Sequence, residues 1–429
     1  MKLRFVLFLT GAMLAACGAD RPDGADVDRL AREYLLIELS MGLHDPAHVD
    51  AYFGPAEIRE EATALALTLE QIGDRAGRLD EQLAEIVKLA EPDALTAPRV
   101  RGLRQRLEAL DTRIALARHD AYRFDEESVH LFGAAAPDYD APHFEAILAE
   151  IDQLLGGEGD LSTRVNAFRE QFVIPPERLA DVFDAAIAEC RRRTLLYIEL
   201  PDDESFTLEY VTDKPWSGYN WYQGDAHSLI QINTDLPIYI SRAVDLGCHE
   251  GYPGHHTFNA LLEKHLVDRQ GWLEYTLYPL FSAQSLIAEG SGNYGIDLAF
   301  PGEERIEFER EVLFPLAGLD PAEADRYYRL LALLERLSYA GNEAARDYLD
   351  GTITREEAVQ WLIDYALMSP DRASQRVDFI DTYRSYVINY NLGKDMVRAY
   401  VETDAPDTSA RWDKFSHMLS SPMLPEDLE

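Results

Sequence analysis

The sequence predicts a mainly α protein: a large helical chain with a small β-sheet placed just before its richest group of titratable residues. Three observations predict it. Apolar residues recur at three- and four-residue spacing through most of the chain. Two short stretches alternate with period two instead. The composition, 47% hydrophobic and 27% charged over 429 residues, is that of a chain with a real core, not of a disordered or collagen-like one. At about 150 residues per domain the length allows two to three domains or one large one.

The elements follow in order. Residues 1–17, MKLRFVLFLTGAMLAAC, carry Lys2 and Arg4 ahead of an apolar run from Phe5 to Met13. That run fits a signal peptide and is too short to span a bilayer. Leu14-Ala15-Ala16-Cys17 resembles the bacterial lipobox, which implies that Cys17 is acylated and becomes the mature N-terminus; a plain secretory signal is the alternative. Gly18 follows it, where an inner-membrane retention signal would have Asp. Residues 18–26 then read as a tether. The expected address is the cell envelope: lipid-anchored, facing the periplasm, at the outer membrane.

Residues 27–200 read as a helical N-terminal region. Leu103, Leu107, Leu110, Ile114 and Ala117 share one helical face. So do Leu179, Val182, Phe183, Ala186, Ile187 and Cys190, in a helix that Pro175-Pro176 would open. Breaks are expected at Glu91–Pro98, Gly133–Pro142 and Gly156–Asp160. His44 and His48 stand four apart, but Pro46 lies between them, which reads as a helix-ending turn and not a second metal site. Because Cys190 fits an apolar stripe, Cys190 and Cys248 are expected as buried free thiols, although an oxidising periplasm would let them pair.

Residues 201–429 form the second expected region. Phe206–Val211 and Leu229–Asn233 alternate as strands, on either side of an aromatic, Gly-rich segment (Trp216–Gly224). The stretch 231–235 could be an edge strand for an extended peptide or an ordinary structural strand. Helical patterns resume through Val244–Leu266, Tyr275–Leu298, Pro321–Leu349, Arg355–Tyr365 and Ser374–Tyr400.

The chemistry is concentrated at 249–256, His-Glu-Gly-Tyr-Pro-Gly-His-His. Titratable side chains inside an apolar helical pattern cost several kcal/mol unless something compensates them, and a divalent metal would. In H-E-x-x-H a helix sets two imidazoles one turn apart on a metal, with the Glu as general base. Here the second histidine comes six or seven residues after His249, so the strict motif fails. Pro253 cannot donate to the carbonyl of residue 249 and Gly254 adds freedom, so a bulge could bring His255 to the ligand position. His256 is the alternative. In an undistorted helix it returns to the face of His249 about 10 Å further along. A third ligand must come from another element, and Glu289, after the apolar run Leu280–Ile287 and before Gly290, Gly292 and Gly295, is the best source.

HEGYPGHH at 249–256 and EGSGNYG at 289–295 are similar to the paired signatures of the DUF885 family, H-E-x-x-P-G-H-H and E-G-x-x-x-Y. That family is placed near the gluzincin-type metallopeptidases. The resemblance covers about residues 249–297. It implies a gluzincin-like fold, zinc, Glu289 as third ligand and Glu250 as base. One departure is that an acidic residue common seven positions after the third ligand is Ile296 here, with Asp297 one later.

An oxyanion formed in hydrolysis needs a donor. Tyr383, Tyr386 and Tyr390 recur at i, i+3 and i+7. If that helix faces the metal, Tyr390 or Tyr386 would donate, and Arg384 could hold a substrate carboxylate; an amphipathic core helix is the bland alternative. The leading expectation is a zinc-dependent hydrolase, a peptidase acting on peptides in the periplasm. A hydrolase of another amide or ester, and a non-catalytic lipoprotein with a structural or degenerate site, are the rivals. Glu250 separates the last from the others, because a structural site has no use for a carboxylate beside its first ligand. With 40 Lys and Arg against 77 Asp and Glu, the net charge is −37. That argues against nucleic acid as a partner, and membrane contact is expected only through the lipid on Cys17. The substrate is expected to be a peptide or small amide; the sequence names no protein partner.

Overall fold

The computed structural model describes residues 24–89, 96–214 and 216–429. The leader, Cys17 and most of the expected tether lie outside them, as does the start of the break at Glu91–Pro98. The first helix, Gly24–Met41, already begins inside the stretch expected as a tether. The mainly helical expectation holds along the chain. Helices Thr96–Ala117 and Leu179–Thr194 bury the faces their spacing marks, Leu103, Leu107, Leu110 and Ile114 in the first, and Val182, Phe183, Ala186 and Cys190 in the second. Full burial of one such side chain stabilises the fold by about 1.5–3 kcal/mol. Among the described residues no helix is long and apolar enough to cross a membrane.

The small sheet lies where it was expected, with one more strand. Strands β2 (Ser205–Val211), β3 (Gly218–Gly224) and β4 (His227–Asn233) are ordered β2-β4-β3. β2 runs parallel to β4 and β3 antiparallel to it. β3 is the aromatic, Gly-rich segment. Its period-two pattern is present, with Asn220, Tyr222 and Gly224 inward, but the inward residues are not aliphatic. The residues Gln231–Asn233 therefore belong to the central strand, and the sheet edge next to the histidines is β3.

A second sheet was not expected. β1 (Val49–Tyr52) pairs antiparallel with β5 (Leu277–Pro279). Tyr275–Leu298, read as one helical stretch, thus splits into a short turn, β5 and the helix Ala283–Ala299. This pairing ties residues from the N-terminal region to the middle of the chain. The core gives the same picture. One buried cluster runs from Phe144 to Leu428, across the boundary expected at residue 200. A second gathers the N-terminal helices from Val27 to Ile114 and takes in Leu277 of β5.

The expected buried thiols are instead a disulfide, Cys190–Cys248. Both residues are fully buried, so the apolar stripe is real. It holds two cysteines face to face, one in the Leu179–Thr194 helix and the other immediately before His249. His44 and His48 lie in the turn after the first helix. The His44 ring meets the carbonyl of Leu67 at 2.7 Å, and buried His48 is hydrogen-bonded to Glu38.

Candidate metal centre

The motif helix is interrupted as Pro253 and Gly254 require. Ser241–Leu246 is α-helical and Gly247–Gly251 is one π-helical turn. After the break at Tyr252–Gly254 a new helix, His255–Leu262, begins. The widened turn presents His249 and Glu250, and the break resets the helix so that His255 faces back. A Cβ on Gly254 would stand 1.8 Å from the carbonyl oxygen of His249, so only glycine permits this return.

The third element is the Ala283–Ala299 helix, which brings Glu289 to the histidines. Small residues set its approach. A Cβ on Gly292 would lie 2.8 Å from the His249 ring, and one on Gly295 would lie 2.9 Å from Pro253. Gly290 meets Gly393 of the Ile388–Glu402 helix backbone to backbone on the other side.

One ligand atom each of His249, His255 and Glu289 can be chosen so that all lie within 4.8 Å of one another; among the described residues no other such group occurs. The Glu289 Oε2 is 3.1 Å from His249 Nε2 and 3.8 Å from His255 Nε2, and the two rings stand 4.6 Å apart, nearly perpendicular. That Oε2 is sealed from solvent and has no hydrogen-bond partner of good geometry, while Oε1 accepts from the Tyr386 hydroxyl at 2.8 Å. A carboxylate oxygen held bare between two imidazole nitrogens fits a cation, and the donor set of two His and one Glu suits zinc.

His256 points elsewhere. It is fully buried, with Nδ1 2.8 Å from Ser228 Oγ and Nε2 3.1 Å from Glu204. This Ser–His–Glu chain looks like a nucleophilic relay, but Ser228 is itself fully buried, so no substrate reaches it. The chain pins the His255–Leu262 helix to the sheet.

Glu250 is nearly buried, 5% exposed, and its backbone carbonyl accepts from Asn220 Nδ2 at 2.7 Å. A Cβ on Gly218 of β3 would stand 2.9 Å from Glu250 Oε1. The edge strand is thus pressed against the carboxylate, and Gly218 leaves it room.

The expected tyrosine helix is broken. Pro370–Tyr383 ends at Tyr383, Arg384–Val387 is a 3₁₀ turn, and a new helix starts at Ile388. The break divides the residues' roles. Tyr386 is spent on Glu289, and so orients a candidate ligand. Tyr390 lies beside it, ring centroids 5.9 Å apart. Burial, then the negative charge of Glu289, pushes the Tyr390 phenol well above its usual range, and Glu250 adds to the effect; it remains a donor at neutral pH. Arg384 turns away: its guanidinium is paired with buried Glu127 at 2.7 Å, which fills the role expected of a substrate carboxylate. Asp297 pairs with Arg398 and Lys394, outside the centre.

One residue of the site was missed in the sequence. Asp50 is the bulged residue of β1, since Val49 pairs with Pro279 and Ala51 with Tyr278. A bulge re-aims a side chain; this one is hydrogen-bonded to the Tyr219 hydroxyl. Burial pushes Asp50 up to about 7; the His255 charge opposes this and Glu289 and Glu250 reinforce it. The N-terminal region thus closes one side of the centre with a third acidic group, beside Glu250 and Glu289. Nothing local in an acidic, four-residue strand 199 residues before His249 signals this.

No protein-family model and no curated protein matches the sequence. Among solved structures, the chain is similar to a candidate lipoprotein from Colwellia psychrerythraea, at 14% identity and TM-score 0.51, over 96% of this chain and 76% of that one. It is also similar to an M32 carboxypeptidase from Deinococcus radiodurans R1, at 13% identity and TM-score 0.43, over 91% and 90%. Metallocarboxypeptidase 1 of Trypanosoma cruzi follows, at 13% and 0.40, over 94% of each chain. At these identities the likeness to the first is one of fold alone.

Proposed function

We propose that the protein is a zinc-dependent hydrolase that cleaves peptides. The observation that carries this is the convergence of His249, His255 and Glu289, from three elements, around a bare carboxylate oxygen, with Glu250 adjacent to the first ligand. Zinc held there would supply a Lewis acid that polarises a carbonyl and makes water more acidic. The chain's own residues do the rest. Glu250, unengaged by any cation, takes a proton from the attacking water and returns it to the leaving amine. Tyr390 donates to the oxyanion, and Tyr386 fixes the orientation of Glu289. β3, the free sheet edge beside Glu250, offers backbone to an extended substrate.

The lipobox-like leader, the disulfide and the fold shared with a candidate lipoprotein support a place in the cell envelope. Disulfides persist in oxidising compartments.

Glu250→Gln tests the reading. The variant keeps the side chain's size but not its basicity. It should retain zinc and fold and lose about 10²–10⁴-fold in hydrolysis of a broad peptide mixture. Unchanged turnover would remove Glu250 from the mechanism, and loss of zinc would make it a ligand. No cleavage by zinc-loaded wild type would leave the other amides and esters.

A further inference from the structure

Buried glutamates away from the candidate centre meet cations: Glu127 pairs with Arg384, Glu274 with Arg99 and Glu309 with Arg305. Two carboxylates at the centre do not. Glu250, 5% exposed, has neither an ion pair nor a hydrogen bond to its carboxylate among the described residues. Asp50, half-buried, has no ion pair and one hydrogen bond, from the Tyr219 hydroxyl to Oδ1. Its Oδ2 is unbonded and is not sealed from solvent. The role of base accounts for Glu250. It leaves Asp50 without a task.

The fold fixes Asp50 from two sides. The bulge between Val49 and Ala51 turns it out of the β1–β5 ladder. Tyr219, which donates to it, packs against Trp216 and Trp221, with ring centroids 5.3 and 4.5 Å away. Gly218, the residue before Tyr219, is the one that leaves room for Glu250 Oε1. The residue that orients Asp50 and the residue that admits Glu250 are thus neighbours in β3. The charges that act on Asp50 are those of His255, Glu289 and Glu250, with no arginine or lysine among them.

Asp50, Glu250 and Glu289 outnumber the two charges of a zinc ion by one, so the centre keeps a negative charge when loaded. A carboxylate drawn out of water calls for a cation. The chain supplies none to Asp50, and a peptide can. Its positive groups are the N-terminal ammonium and the side chains of lysine and arginine. The α-nitrogen of the first residue stands about 2.5 Å from that residue's own carbonyl carbon, whereas a lysine ammonium sits at the end of a four-carbon stem. A carboxylate placed among the metal residues therefore matches the α-ammonium.

Resting on the hydrolase reading above, we propose that Asp50, oriented by Tyr219, binds the free α-ammonium of the substrate, so that the protein removes the first residue of a peptide. Water adds across the first peptide bond. Its oxygen joins the carbonyl carbon, as the carboxylate of the released amino acid, and its two protons end on the departing nitrogen, which becomes the new N-terminus. Asp50 touches the substrate; Tyr219 acts through Asp50 and is a positioning residue.

Binding is measured first, without turnover. L-Leucine hydroxamate and its N-acetyl derivative share the zinc-binding hydroxamate and differ only at the α-nitrogen. Calorimetry on the zinc-loaded protein should show the free amine binding about 10-fold tighter or more, as expected of a hydrogen bond to a charged group. Asp50→Asn should abolish that preference and Tyr219→Phe should reduce it, with zinc content and circular dichroism unchanged. The N-acetyl compound should bind all three proteins alike, which a merely structural role for either residue would not give. Equal binding of the two compounds to wild type overturns the proposal. If Asp50→Asn does not fold, Tyr219→Phe and the wild-type ratio decide. Kinetics come second. Peptides with a free N-terminus should lose one residue at a time from that end, about 100-fold faster in kcat/KM than their N-acetylated counterparts, with the loss in Asp50→Asn confined to the free amines. Cleavage indifferent to N-acetylation, or cleavage of N-acetylated peptides only beside lysine or arginine, overturns the proposal and leaves the hydrolase reading standing. An amine preference in binding that Asp50→Asn abolishes, with no peptide cleaved, supports the ammonium site on Asp50 and removes the hydrolase reading.

Discussion

Glu289 carries two interactions on one carboxylate, and they predict different losses. Its Oε1 is held by Tyr386 and its Oε2 faces the histidines. Tyr386→Phe should leave the fold intact and weaken zinc about 10- to 100-fold, the usual cost of removing an outer partner of a ligand; competition with a zinc-sensitive dye measures it. Tyr390→Phe should keep zinc affinity and slow hydrolysis instead, by up to about 10²–10³-fold if its hydroxyl meets the oxyanion. The histidines add a pH dependence. Burial alone would lower the His255 pKa, but the Glu289 carboxylate 3.8 Å away and the charges of Glu250 and Asp50 raise it to about 9. The metal-free protein thus carries a proton there at neutral pH, and zinc must displace it. Zinc affinity should rise with pH up to about 9 and flatten above, with one more proton released per zinc at pH 7 than at pH 10. A pH-independent affinity between 6 and 9 would contradict this coupling.

At the scale of elements, the site depends on close approaches that only small residues allow. Gly290 and Gly393 touch along their backbones; a Cβ on Gly290 would lie 2.4 Å from the carbonyl group of Gly393. Gly290→Ala should therefore destabilise the protein by about 1–3 kcal/mol, the usual cost of overpacking, and displace Glu289 with it; thermal unfolding with and without zinc reads both. Gly218→Ala tests the edge strand in the same way, because the added methyl would press on Leu246 and Glu250. Much of this level was legible. The alternation at 206–211 and 229–233 gave two strands, and Pro253-Gly254 marked the break that returns His255. β3 escaped because its inward residues are Asn, Tyr and Gly. β1 escaped because four half-buried residues make no period, and with it went Asp50. The tyrosine spacing was real but misplaced on one helix, since nothing in the local composition announces the 3₁₀ turn at Arg384–Val387. Arg384 is drawn off by Glu127, 257 residues earlier, a contact no local pattern encodes.

At the scale of the molecule, two links hold the centre together across long stretches of sequence. The β1–β5 pairing brings the N-terminal helices against the metal residues, and Cys190–Cys248 fixes the Leu179–Thr194 helix to the residue before His249. Replacing both cysteines by serine should cost about 2–4 kcal/mol, measured by chemical denaturation, without removing the ligands themselves. The central claim is that three residues, His249, His255 and Glu289, hold one zinc while the neighbouring His256 does not. Metal content of untagged protein, determined by mass spectrometry on wild type and on the His255→Ala and His256→Ala variants, tests it most directly. About one zinc per chain is predicted in wild type and in His256→Ala, with His256→Ala less stable through its lost bonds to Ser228 and Glu204, and little or none in folded His255→Ala. Zinc retained by folded His255→Ala, or absent from folded wild type after zinc is supplied, would contradict it.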